Sequence, residues 1–462
     1  MGLINKVKNF FPQLNLGRKG SLRSHLIRGA FGSLILKIAA TGMTMSVAVV
    51  LARLLGAKSF GIYAFSLSVT QILTVPAMLG LQALMVREVS AYNAKGAFPL
   101  MRGLLIRAWQ GVLGTSLLLA ILAGAAAYFS ADHIEALELG VFWPALFLVP
   151  LTALIQVSGA ALLGLGKIIM GQLPRLVIKN GLFIIFLSII VLLTPISLSA
   201  RYAISLQVIA TFLAAGFIFI ALFKALPYQA KQVAPEYKSR EWLQSAMPML
   251  LAGAMQILNS ETAIVMLGVL GGAEDVGFFR VAQRGAELVP FGLLAVSMAI
   301  GPTVSILYTN GQMDRLQDVL TKSARAVLVF SLPVALFLMI GSGWLVPFVF
   351  GAGFAPAAFP LVLLCAGQLV NAAMGPVGLV LIMTGHERLT ALGVATAAMV
   401  NVILCAILVP LWGAMGAALA TSISQVVWNI LLAIWLFQRL RLTSTAIGAW
   451  WIKSDATHGN AS

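Results

Sequence analysis

Five charged side chains sit where charge is expensive: Lys37, Glu261, Arg280, Arg284 and Glu287 fall within or at the edge of long apolar runs. If those runs cross a bilayer, a charge near the centre costs about 2.5–3.5 kcal/mol on insertion scales. It is kept only where it faces a wet cavity or a partner of opposite sign. Arg280, Arg284 and Glu287 are spaced i, i+4, i+7, so a helix carries them on one face. Two chemistries are open to them. The cations could line a cavity and hold an anion, with Glu261 and Glu287 balancing the charge or carrying protons. Alternatively, Arg284 could pair with Glu287 or Glu261 and merely fix the packing. For Arg284 both readings stand. Lys37 has no acidic residue in its own run and is expected to bind substrate. Arg107 and Lys179 lie near run ends, and each is expected to reach the headgroups along its aliphatic stem.

Uncharged polar side chains form a second signal. Gln256, Asn259, Ser260 and Glu261 form one row, Gln368 and Asn371 another, and Ser422, Gln425 and Asn429 a third, all at helical spacing. Such rows suit the hydroxyls of a sugar, and Gln256 and Asn259 join Lys37, Arg280 and Arg284 as expected substrate contacts. The competing reading is hydrogen bonding between helices, averaging only about 0.6 kcal/mol per contact, and for any one of these residues it is the favoured one.

Other chemistries find no footing. Cys365 and Cys405 sit inside apolar runs, and His25, His133, His386 and His458 are scattered without ligand spacing, so no metal is expected. Gly164–Leu165–Gly166–Lys167 lacks the earlier glycine of a phosphate-binding loop and has Ile168 where Ser or Thr would ligate magnesium. No cofactor and no ATP consumption are expected. The break over 129–138 is short and acidic, with no room for a catalytic domain. The chain is expected not to be an enzyme.

The elements that must position these residues follow from composition. The 462 residues are 60% hydrophobic and only 10% charged, where a soluble domain carries about 25% charged residues. The fold class is therefore an all-α polytopic membrane protein. Twelve apolar runs fall near 30–52, 62–85, 104–128, 139–163, 176–194, 200–223, 245–269, 281–307, 327–350, 359–383, 391–409 and 413–437. Each is close to the roughly 20 residues that one crossing needs. The net charge of +16 points to basic cytoplasmic loops and not to nucleic acid. Of the 30 Lys and Arg, 22 lie in the termini and alternate breaks on one side, and four (Arg53, Lys58, Arg201, Arg280) on the other. Both termini are accordingly expected in the cytoplasm. The basic arm 1–29 has no apolar core with a cleavage site, and is expected to lie along the headgroups.

The chain also repeats itself. Leu55–Gly56–Ala57–Lys58–Ser59–Phe60–Gly61 and Leu270–Gly271–Gly272–Ala273–Glu274–Asp275–Val276–Gly277 occupy matching places between apolar runs. Gly61 with Gly277, Pro76 with Pro290, Gly96 with Gly311, Arg107 with Lys322 and Ser116 with Ser331 keep an offset near 215. The expected organisation is a cytoplasmic arm (1–29), a six-span lobe (30–223), a cytoplasmic linker (224–242), a second six-span lobe (243–437) and a cytoplasmic tail (438–462). Because six is even, the lobes run parallel and are related by a pseudo-twofold along the membrane normal, leaving a cleft between them for alternating access.

Arg53–Leu54–Leu55–Gly56–Ala57–Lys58–Ser59–Phe60–Gly61–Ile62–Tyr63, then Gly80–Leu81 and Val86–Arg87–Glu88–Val89, resembles the opening of polysaccharide exporters of the Wzx O-antigen flippase type. That family belongs to the multidrug/oligosaccharidyl-lipid/polysaccharide exporter superfamily, and the similarity extends diffusely over all twelve spans. The resemblance implies two six-helix lobes in a V, set in a bacterial cytoplasmic (inner) membrane. It implies a cargo of polyprenyl-diphosphate-linked oligosaccharide (an O-antigen of lipopolysaccharide, capsule or exopolysaccharide unit) moved to the outer leaflet. Membrane lipids and other glycan-assembly proteins would be the partners. Cationic cavity residues are a theme of the family, and Lys37 and Arg284 fit it by depth. An ion-coupled drug exporter of the same superfamily is the alternative, although drug cations would call for acidic, aromatic walls. A membrane glycan polymerase or ligase is a third reading, and would need charged clusters on a substantial outward loop.

Overall fold

A computed structural model describes residues 22–130, 132–135, 137–193, 198–446 and 448. The arm expected over 1–29 lies outside the described residues up to residue 21, as does the tail from residue 449. Among the described residues nine helices are long and apolar enough to cross a bilayer, and a tenth, Ser239–Leu270, qualifies as a pair bent by 47°.

Two of the nine are too long for one crossing. Leu22–Ala77 has 56 residues and Glu387–Leu440 has 54, where about 20 suffice. Each contains one non-helical glycine, Gly56 at φ 72° and Gly413 at φ 51°. A residue without a Cβ takes these angles at no steric cost, so one glycine joins two spans where the sequence suggests a loop. Counted as pairs, the two helices bring ten to the expected twelve. The eighth span is itself broken, into Ala273–Ala286 and Phe291–Thr309 around Pro290.

The turns at Gly96, Gly166, Gly311 and Gly385 gather with the Lys- and Arg-rich segments at one end of the bundle, the basic end. Gly56, residues 132–135 and 137–138, Gly272, Gly351 and Gly413 gather at the other, the far end.

The duplication is visible as reciprocal contacts. A Cβ on Gly61 would lie 1.7 Å from the Ala273 carbonyl oxygen, and one on Gly277 would lie 2.4 Å from that of Ala57. Residues 61 and 277, and 57 and 273, are both 216 apart, so each contact is the image of the other. A twofold axis between the second and eighth spans requires this pattern. The correspondence continues past the spans. Arg102 Nη1 donates to the carbonyls of Lys231 and Val233 at 2.8 and 2.7 Å. At an offset of 215, Gln317 holds Thr443, donating to its carbonyl at 2.7 Å and accepting from its N–H at 2.8 Å. In each half the segment after the sixth span thus straps the basic end of the third.

The halves meet at both ends. At the far end Phe60, Phe278, Phe350 and Phe354 cluster, with Phe60 and Phe278 edge-on to Phe354 at 6.0 and 6.2 Å. Edge-to-face pairs of this kind contribute about 0.5–1.5 kcal/mol each beyond area burial. Arg53 adds hydrogen bonds to the carbonyls of Phe348 and of Val349, the latter at 2.8 Å. At the basic end a Cβ on Gly80 would stand 2.2 Å from the Ala246 carbonyl oxygen, and Trp242 Nε1 donates to the Tyr92 hydroxyl at 3.0 Å.

Candidate substrate-binding cavity

Between those two contacts lies a cavity of about 330 Å³. Spans one, two, four, five and six of the first half supply most of its wall, and Glu261, Arg280 and Arg284 come from the second half. The polar part of the wall includes Thr44, Gln71, Asn180, Gln207 and Thr211. Arg175, Lys179, Arg280 and Arg284 line it against one carboxylate, Glu261.

Glu261 and Arg280 form a buried pair, with side chains 16% and 7% exposed and Nη2 3.2 Å from Oε2. Ser68, from the second span, closes the group: its hydroxyl donates to Glu261 Oε2 at 2.7 Å and accepts from Arg280 Nη2 at 2.8 Å. Arg280 Nη1 donates to Gln283 Oε1 at 2.9 Å. Two buried charges are tolerated when paired and hydrogen-bonded in this way, whereas removing one partner costs about 3–5 kcal/mol. Ser68 belongs to the first half and the other three residues to the second, so the group stitches the halves together across the cavity.

Arg284 combines the two readings left open by the sequence. Its Nη1 donates to both Glu287 oxygens, at 2.8 and 3.1 Å, and its side chain is 24% exposed on the cavity wall. Glu261 turns to Arg280 instead. The break before Pro290 explains the placement, because it ends the helix at Ala286 and leaves Arg284 in its last turn, where the helix dipole favours a cation.

The fifth span corrects an expectation. Lys179 does not reach for the headgroups; it lines the cavity beside Asn180. The helical segment begins at Ile168 and not near 176, so Lys179 lies eleven residues, about 16 Å, inside it. A π-helical turn over Pro174–Ile178 interrupts the segment. Proline has no N–H to donate, and such wide turns recur at functional sites. Arg175 sits in that turn, donating to Gln156 Oε1 at 3.1 Å, and joins Lys179 on the wall. The signal for this pair was its i, i+4 spacing just after a proline. Arg107, by contrast, stays at the basic end with its guanidinium 4.6 Å over the Tyr237 ring.

Of the other expected contacts, Lys37 is half-buried and does not line the cavity. It continues the stripe Ala40, Thr44, Val47, Ala48 and Leu51 by one helical turn toward the basic end. Asn259 is half-buried and off the wall, and the Gln256 side chain lies outside the described residues. Gln425 donates to Gln368 at 3.1 Å, joining spans twelve and ten, and Asn371 donates to Gln368 at 3.4 Å within span ten. Among the described residues no three His, Cys, Asp or Glu gather to hold a metal.

Comparison with known proteins gives concordant results. Residues 26–307 match a family model described as polysaccharide biosynthesis protein. Over 187 residues the chain is 24% identical to the probable low-salt glycan biosynthesis flippase Agl15 of Haloferax volcanii, a match covering 40% of each. The chain thus spans about two fifths of the length of that curated relative. Among solved structures it superimposes on an inward-facing MATE family multidrug resistance transporter of the MOP superfamily, with TM-score 0.71 and 15% identity over 88% of this chain and 98% of that one. The lipid II flippase MurJ in an inward closed conformation gives TM-score 0.68 and 16% identity over 89% and 87%. At such identities the likeness is one of fold.

Proposed function

The chain belongs to the polysaccharide biosynthesis protein family, and we propose that it is an alternating-access flippase for a polyprenyl-diphosphate-linked oligosaccharide. The observation that carries this reading is the wall of the cavity, where four cations face a single carboxylate. A lipid diphosphate is an anion joined to a hydroxyl-rich glycan, and needs cations beside hydrogen-bonding groups. Lys179, Arg175 and Arg284 hold the diphosphate, while Arg280 is already engaged by Glu261. Lys37 attracts the anion one turn before the cavity. Thr44, Gln71, Asn180, Gln207 and Thr211 offer hydrogen bonds to the first sugar, and Gln256 and Asn259 meet the glycan once the halves separate.

The orientation follows the sidedness of Lys and Arg: with Arg175 and Arg280 on the cavity wall, 21 remain on one side and three (Arg53, Lys58, Arg201) on the other. The basic end and both termini face the cytoplasm, and the far end faces the outer side of a cytoplasmic membrane. Residues 30–223 and 243–437 rock as two bodies about the linker 224–242. A cavity of about 330 Å³ is at the small end of ligand sites, and suits the diphosphate and adjoining sugar alone. Loading therefore requires the halves to part at the basic end, and release requires the aromatic cluster to part at the far end. Anion binding competes with Glu261 for Arg280, which loosens the Ser68 contact. A proton taken up by Glu261 would do the same, and so couple transport to a gradient; a proton on Glu287 would free Arg284 for the cargo.

Binding of a purified polyprenyl-diphosphate trisaccharide to the full chain in detergent tests the reading. Inorganic pyrophosphate should compete with the lipid, and K179Q with R284Q should weaken binding about 100-fold if each cation contributes about 1.4 kcal/mol. Equal binding of the same lipid lacking its diphosphate would overturn it.

A further inference from the structure

A second hollow, of about 530 Å³, opens on the lipid-facing side of the first half and shares no lining residue with the central cavity. Gly140, Trp143 and Phe147 of the fourth span form one wall, and Arg201, Ser205 and Ile209 of the sixth form the other. Both helices begin at the far end, at Leu139 and Ala200. The hollow therefore starts at headgroup level and runs about 12 Å down, the rise of eight helical residues from Arg201 to Ile209. Apart from Arg201 and Ser205 its walls are apolar, with exposed rings of Trp143 and Phe147. Tryptophan is enriched at this depth in membrane proteins.

The mouth is charged on both sides. Arg201 Cδ and Glu138 Oε1 stand 3.8 and 3.7 Å from the place a Cβ on Gly140 would take. Gly140 leaves the gap between them open. Among the described residues Arg201 forms no ion pair. Its neighbours at this end are engaged elsewhere, Arg53 on two carbonyls and Lys58 on Glu135. Arg201 also lies in the first turn of its helix, where unsatisfied N–H groups favour an anion.

We propose that this groove is a lipid site that takes a phospholipid with an ethanolamine headgroup. The phosphate lies on Arg201, the primary ammonium on Glu138, and one acyl chain fills the groove along Trp143, Phe147 and Ile209. A glycerol headgroup supplies the phosphate but no cation for Glu138. A choline headgroup supplies a cation with no N–H to donate.

Native mass spectrometry of the full chain with equimolar ethanolamine, glycerol and choline phospholipids tests this. The wild-type chain should retain the ethanolamine lipid at least fivefold over the other two. R201Q should lose that retention, and E138Q should retain the ethanolamine and glycerol lipids equally. G140L, whose side chain enters the gap between the two charges, should lose retention of all three. Melting curves matching the wild type identify variants that fold. Unchanged retention in folded R201Q and G140L would overturn the site. A wild-type preference for the glycerol lipid, or for an added polyprenyl phosphate, would overturn the ethanolamine assignment.

Discussion

Replacing Ser68 with alanine isolates what holds the halves together across the cavity. The hydroxyl makes two bonds to the second half, to Glu261 at 2.7 Å and from Arg280 at 2.8 Å. Its removal leaves the Arg280–Glu261 pair at 3.2 Å intact, so no buried charge is orphaned. Alanine also fills nearly the same space in this fully buried position. The loss is therefore confined to two hydrogen bonds with charged partners, each worth about 1.5–3 kcal/mol, or about 3–6 kcal/mol together. If that free energy belongs only to the closed form, the ratio of closed to open molecules falls roughly 150- to 25,000-fold. Spin labels on cysteines at the exposed positions Lys95 and Lys322, with Cys365 and Cys405 replaced by alanine, would read the separation of the halves at the basic end. The S68A distances should move from one short population to a mixture containing a longer one. Distances identical to those of the wild-type chain would refute the reasoning.

Other expectations follow from single contacts. G61A places a Cβ 1.7 Å from the Ala273 carbonyl oxygen; overpacking of this sort costs about 1–3 kcal/mol, so the melting temperature in detergent should fall, and an unchanged value would show that the halves do not meet there. Individually, R175Q and K179Q should each weaken binding of the lipid diphosphate about tenfold, while R107Q, at the basic end over Tyr237, should bind like the wild type; a titration of the three variants decides. Q317A removes the grip on Thr443, and amide exchange over residues 442–446 should quicken while exchange within the twelve spans stays the same.

Much of this architecture was readable before any coordinates, because a membrane imposes length, periodicity and charge sidedness on a sequence. The repeat was legible too. Gly61 and Gly277 stood out as landmarks at a constant offset, and they are the residues that touch Ala273 and Ala57 across the axis. Arg284 and Glu261 are visible as charges in apolar runs, and Glu287, the partner Arg284 takes, is one of the two that the sequence offers it. For Glu261 the sequence offers Arg284, whereas the partner is Arg280, because the choice depends on how the eighth span turns around its break. Ser68 was invisible, since an isolated serine in an apolar run carries no signal until another helix brings charges to it. Lys179 was misread because hydropathy locates the fifth span by its apolar stretch, whereas the helix begins earlier, through Pro174 and a wide turn. Lys37 stands out by its depth and by the lack of an acidic residue in its run, and neither says whether a side chain meets the wall or stands one turn before it.

The central claim is that a cationic cavity between two sibling halves carries a lipid diphosphate across the membrane. It is tested most directly by reconstituting the chain in vesicles and measuring how fast a labelled polyprenyl-diphosphate oligosaccharide becomes accessible at the opposite leaflet. Wild-type vesicles should expose the label well above protein-free vesicles, and vesicles holding the folded K179Q/R284Q variant should match the protein-free rate. Equal rates for the wild-type chain and the double variant would contradict the account.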